Sequence, residues 1–168
     1  IRIDDGGNTM RFIGGVASDG AQITRVLDLA AANTATISFT SNADGLDGTY
    51  DAATQTGTGE YVLVQFAADG VNFVTLDGFS GDGGNVGRSY TVNGPFSATA
   101  AIRFVGSAIS TTGEGLVIDN LAISFSSIET LNGGNGNDTY SFTFGDGNDV
   151  INELADGGTA DRISILSN

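Results

Sequence analysis

Short apolar segments separated by glycine and aspartate turns constrain the fold of this chain more than any other feature. Of its 168 residues, 26 are glycine and one is proline. The apolar segments are rich in valine, isoleucine, phenylalanine and threonine, which favour strands, and no stretch sustains the 3.6-residue period of an amphipathic helix. Residues 21–32 fit a helical face about as well as an alternating strand, and their all-β surroundings favour the strand. The sequence therefore predicts an all-β protein.

Eight segments have the length and composition of β-strands. They cover residues 10–13, 22–29, 35–40, 61–67, 73–79, 88–92, 100–105 and 116–125. Asp69-Gly70 is a turn signal that predicts a hairpin between the fourth and fifth segments. Eight strands with such turns are typical of an antiparallel, jelly-roll-like β-sandwich, which we place at residues 1–126. The long connection at residues 41–59 is predicted to be a metal-binding loop, a ligand-binding lip or a mobile segment without a role.

The charge of the chain favours cations as partners. The net charge is −14, aspartate supplies 16 of the 20 acidic residues, and the six basic residues are all arginine. Aspartate prefers turns and reaches a loop-bound cation with little loss of side-chain entropy, although acidity can also serve solubility alone. Nucleic acid and anionic membrane surfaces would be repelled. No segment resembles a signal peptide or has the length of a transmembrane helix.

The missing residue types exclude most enzyme classes. The chain has no cysteine, histidine, lysine or tryptophan, so it offers no thiol nucleophile, Ser-His-Asp triad, ordinary zinc site or Schiff-base lysine. A pair of carboxylates for glycoside hydrolysis, such as Asp44 with Asp47 or Glu60, is the remaining enzymatic option. Any aspartate-rich chain offers such pairs, so we expect a module without catalytic activity.

Two glycine-rich motifs follow one another near the C-terminus. Residues 133–141 fit the pattern G-G-x-G-x-D-x-U-x at every fixed position, with Tyr140 as the large apolar residue U. Residues 144–152 repeat the pattern without its first glycine, and residues 156–164 retain only its end. Glycines allow left-handed turns that gather carbonyl oxygens, and the aspartate adds a carboxylate. Such hard oxygen ligands suit Ca²⁺ better than Zn²⁺ or a redox metal.

These motifs resemble the repeats-in-toxin (RTX) family of secreted, calcium-binding β-rolls. The resemblance implies a bacterial, extracellular protein with further domains. The calcium ligands that it implies are the carboxylates of Asp138, Asp146, Asp149 and Asp161 and carbonyls around Gly134, Gly136, Gly145 and Gly147. The motifs start 11 and 12 residues apart, whereas the family repeat has nine. We therefore expect residues 131–168 to form a partial roll or a hairpin, or to be partly unfolded if the chain ends within the array. Its predicted inward side chains are Tyr140, Phe142, Ile151 and Ile163.

Residues 8–126 carry a weaker pattern, in which a strand, Asp69-Gly70 and an aromatic segment are followed later by a closing strand around Asp119-Asn120. This order is similar to jelly-roll modules of the MAM and carbohydrate-binding type. The similarity implies a structural calcium held by Asp119 together with Asp5 or Asp4. The alternative is that Asp119 only caps a β-bulge.

Two functions are consistent with these patterns. The first is a non-catalytic calcium-binding module whose folding and stability depend on extracellular calcium. The alternative is a calcium-dependent module that binds a carbohydrate or a cell surface, in the manner of a lectin or adhesin. Because sugars stack on aromatic rings, the candidate platforms for this alternative are Tyr50, Tyr61 and Tyr90.

Overall fold

The computed structural model describes residues 2–4, 9–13, 20–109, 113–127, 129–143, 149–154 and 158–166. All regular structure within these ranges is β, which confirms the predicted fold class. Among the described residues there is no helix of the length and hydropathy needed to span a membrane. The strands are β1 (Arg2–Asp4), β2 (Thr9–Ile13), β3 (Gln22–Val26), β4 (Thr34–Asp44), β5 (Thr49–Asp51), β6 (Thr56–Thr58), β7 (Tyr61–Ala67), β8 (Val74–Phe79), β9 (Val86–Asn93), β10 (Ala101–Ser107), β11 (Gly115–Ser126), β12 (Thr130–Asn132), β13 (Thr139–Thr143), β14 (Val150–Asn152) and β15 (Arg162–Leu166).

Two antiparallel sheets form a jelly-roll-like sandwich. One has the strand order β1-β2-β11-β4-β9, and the other has the order β3-β10-β7-β8. All eight predicted segments contain a strand; β7 has the predicted ends, and the other seven strands have shifted ends. The predicted hairpin is present as the antiparallel pair β7 and β8. At its turn, the Asp69 carboxylate accepts backbone N–H bonds from Val71 and Asn72, which holds the pKa of Asp69 down at about 2.

The hydrophobic core lies between the two sheets and follows the two-residue period of the strands. In β4, Ala35, Ile37 and Phe39 are buried, and each alternates with a more exposed threonine or serine. Val62, Val64 and Phe66 on β7 face them from the opposite sheet. Phe39 and Phe104 meet edge to face with ring centroids 5.4 Å apart, a geometry that aromatic pairs prefer.

The connection at residues 41–59 has more structure than the sequence predicted. β4 extends to Asp44, and β5 and β6 form a short antiparallel hairpin within the predicted loop. The Tyr50 ring lies so close to Gly78 that a Cβ at position 78 would clash with it. Tyr90, proposed above as a surface platform, instead points into the sandwich. Its ring lies 5.9 Å from that of Phe39, and its hydroxyl donates to Asp77 Oδ2.

A bulge interrupts β11 where the sequence shows a polar break. The register against β4 shifts between Asp119 and Ala122. Asn120 adopts a φ of 54°, in the left-handed region that asparagine tolerates better than most residues. Asp119 Oδ1 accepts the Asn120 N–H at 2.7 Å, which is the capping role considered for Asp119. Asp5, its expected calcium partner, lies outside the described residues, and Asp4 is described by its backbone in β1.

The C-terminal strands pair in parallel, each with the strand two further along the chain. β12 pairs with β14, and β13 pairs with β15. A hairpin would be antiparallel, so the tail has the pairing of a roll with two turns. Arg162 lies opposite Thr139, 23 residues earlier, which equals two of the motif spacings. Of the side chains predicted to point inward, Tyr140 is buried and Phe142 and Ile151 are half-buried, whereas Ile163 is 61% exposed and does not face inward.

Candidate metal centre

The parallel pairing brings the turn after β12 next to the turn after β14. The first turn contains Gly134 and Gly136, which have positive φ values of 86° and 113°. Asp138 ends this turn, and Asp161 ends the second one. The Asp138 N–H donates to Asp161 Oδ1 at 3.0 Å, and the Arg162 N–H donates to the Asp138 carbonyl at 2.9 Å. The aspartates of the first and third motifs therefore lie side by side.

Glu153 joins these aspartates from the end of β14. One carboxylate oxygen each from Asp138, Glu153 and Asp161 lie within 4.8 Å of one another. Asp138 Oδ2 and both Glu153 oxygens are buried and have no hydrogen-bond partner. Burial raises the pKa of Glu153, and the negative charges of Asp161 and Asp138 raise it further. The cluster thus collects negative charge without a neutralising side chain among the described residues.

Two glycines permit this close approach. A Cβ on Gly133 would lie closer than 3.0 Å to the Tyr140 hydroxyl, Glu153 Oε1 and Asp138 Oδ2. A Cβ on Gly158 would meet the Gly136 carbonyl oxygen and Asp161 Oδ1 in the same way. Such contacts are forbidden to a real Cβ, so any larger residue would push the two turns apart. The glycines of the motif therefore serve the packing of turn against turn as well as the backbone conformation.

The donor set fits a hard cation. The atoms that surround the cluster are carboxylate oxygens, one phenol hydroxyl and the nearby Gly136 carbonyl. Calcium takes six to eight such oxygens, and the chain offers no imidazole or thiolate for a softer metal. The unpartnered buried oxygens are the second observation in favour of a cation, because buried polar atoms are nearly always paired.

The residues predicted from the motifs fall into four groups. Gly134 and Gly136 lie in the first turn. Asp138 and Asp161 are in the cluster. Asp149 lies immediately before β14 and outside the cluster, and its Oδ1 accepts the Glu129 N–H at 3.0 Å. The predicted ligands Gly145, Asp146 and Gly147 lie outside the described residues.

Sequence reasoning missed Glu153, because it lies outside the fixed positions of the motif. The only feature of the sequence that draws attention to Glu153 is composition. Glutamate is rare in this acidic chain, with four residues against 16 aspartates, and three of these four lie in carboxylate clusters. The other two are Glu60 and Glu114, which meet Asp47 at one end of the sandwich, where Glu60 is only 7% exposed. Sequence spacing does not predict that Glu153 or Glu114 joins these clusters.

Comparison with known proteins gives matches among solved structures. The sequence matches no family profile, and no curated protein matches it. The structure is similar to the EclA C-terminal domain, described as a sugar-binding protein, with 17% identity, a TM-score of 0.43 and coverage of 74% of this chain and 82% of that one. It is also similar to a structure titled "CBM4 structure and function", with 14% identity, a TM-score of 0.41 and coverage of 74% of each chain.

Proposed function

We propose that this chain is a non-catalytic calcium-binding module in which Ca²⁺ joins the two turns of the C-terminal tail. The observation that carries the proposal is the cluster of Asp138, Glu153 and Asp161, whose oxygens converge from both turns and are in part buried without partners. The resemblance of residues 133–152 to RTX repeats supports the same cation and an extracellular bacterial setting, where calcium is plentiful.

The role of the metal follows from electrostatics. Without a cation, the three carboxylates repel one another across the contact between β13 and β15, which opposes the parallel pairing. A divalent ion reverses this repulsion, so its binding free energy becomes folding free energy of the tail. Extracellular calcium modules need dissociation constants of only roughly 10⁻⁴–10⁻³ M. The tail would then be ordered outside the cell and loose where calcium is scarce.

A calorimetric calcium titration of Glu153→Gln tests this proposal. The substitution keeps the shape of the side chain and removes one charge, so we expect calcium affinity to fall by about tenfold or more, in line with the loss of a charged ligand. Glu129→Gln is the matched control, because Glu129 is exposed and lies next to the tail but outside the cluster. Equal losses in both variants would show that only net charge matters, and no loss in either would exclude the site.

Carbohydrate binding is a second candidate function, favoured by a pair of tyrosines on the outer side of the four-stranded sheet. The rings of Tyr50 and Tyr61 lie 6.2 Å apart. Each ring is seated against a glycine, Gly78 and Gly57 respectively, at a distance that no Cβ would allow. Half-buried rings on a rigid sheet can stack against a sugar. A glycan array with the wild-type chain and Tyr50→Ala tests this function, which requires a sugar signal that the substitution removes.

A further inference from the structure

Tyr140 has a hydroxyl that the sequence motif does not require. The motif asks only for a large apolar residue at this position, and phenylalanine would fill it. Tyr140 is 7% exposed, so its ring belongs to the interior of the tail. Its hydroxyl is also buried, and it has no hydrogen-bond partner. Leaving a buried hydroxyl unpaired is unfavourable, so the position needs an explanation beyond packing.

The hydroxyl points toward the carboxylate cluster. Together with Glu153 Oε1 and Asp138 Oδ2, it lies around one point beside Gly133, closer than 3.0 Å to where a Cβ would be. All three atoms are buried and lack a hydrogen-bond partner. A phenol oxygen carries lone pairs as well as a proton, so it can complete a shell of oxygen ligands. A cation at this place would satisfy the three oxygens at once.

We propose that the Tyr140 hydroxyl is itself a ligand of the cation held by Asp138 and Glu153, an inference that rests on the proposed calcium function. The phenol then connects the metal to the apolar interior of the tail through a single rigid side chain. Binding of the cation fixes the ring between the two turns, and loss of the cation releases it. Tyr140 is thus a residue through which calcium controls packing of the tail.

Tyr140→Phe in the whole chain tests the inference, because it removes the hydroxyl and keeps the ring. We expect calorimetry to show calcium affinity lowered by about threefold to tenfold, as for one lost polar ligand. The chain has four tyrosines and no tryptophan, so luminescence of bound Tb³⁺, added without Ca²⁺, would be sensitised by tyrosine. This Tb³⁺ luminescence should vanish in Tyr140→Phe and persist in the control Tyr61→Phe. In the wild type it should return to baseline when Ca²⁺ displaces Tb³⁺.

A second measurement uses the wild-type chain alone and so does not depend on whether a variant folds. With ¹³Cζ-labelled tyrosine, calcium should shift the wild-type resonance of Tyr140, which has its hydroxyl on that carbon, and leave the other three in place. A wild-type chain that binds calcium with an unmoved Tyr140 resonance, or with the same affinity in Tyr140→Phe, would overturn the inference alone. A wild-type chain that binds no calcium would overturn the proposed function and the inference with it.

Discussion

Gly133 determines, at the scale of the single residue, how closely the oxygens of the cluster can meet. No residue with a side chain fits at this position, because a Cβ added there would collide with oxygens of three different residues. Gly134 and Gly136 are required for a different reason. Their φ values are positive, and a backbone in that conformation is strained by a Cβ. The motif pattern predicted all three glycines and gave the conformational reason, whereas the steric reason depends on Glu153 and Tyr140, which only the folded tail brings near.

Gly133→Ala is therefore expected to displace Tyr140 or Glu153 and to lower calcium affinity by about tenfold or more. The sandwich should keep its thermal transition. Gly84→Ala is the matched control, because a Cβ at Gly84 meets no atom within 4 Å. Calcium titration calorimetry measures both variants, and unchanged affinity in Gly133→Ala would contradict the described arrangement of the oxygens.

At the scale of the element, the strands show which parts of the fold a sequence can predict. Apolar alternation located β7 with its exact ends, because its inward residues are large and its turn is marked by Asp69-Gly70. β4 extends four residues beyond its predicted end, since residues 41–44 pair with β11 and in part with β9 although they lack large apolar side chains. β3 ends at Val26, and Leu27 donates its N–H to the Ala100 carbonyl. Such pairing depends on neighbours that are distant in sequence.

The bulge in β11 supplies a prediction about an element. Asn120→Ala should destabilise the sandwich by about 1–2 kcal/mol, because alanine has no polar side chain to offset a left-handed backbone. Asn120→Gly should be neutral or slightly stabilising, since glycine adopts this conformation without steric cost. Equilibrium urea denaturation measures both. Equal stabilities of Asn120→Ala and Asn120→Gly would contradict the left-handed conformation of Asn120 in β11.

At the scale of the whole molecule, the sequence indicated the two kinds of β structure but only part of the site. The antiparallel sandwich and the glycine-rich tail were both predicted, and Asp138 and Asp161 were named as ligands. Glu153 and the Tyr140 hydroxyl were not, because their approach depends on how a strand pairs with another 20 or 23 residues away. The motif specifies a turn, whereas the site is built between turns.

A calcium titration followed by ¹⁵N-¹H correlation spectra of the whole chain tests the central claim, that one cation bridges the two turns of the tail. We expect amide resonances of Asp138 in the first turn and of Glu153 and Asp161 in the second to shift together along one binding curve. A separate curve at Asp119 would report the second calcium implied for the sandwich. Shifts confined to one turn, or absent from all three residues while calcium binds elsewhere, would contradict the bridging site.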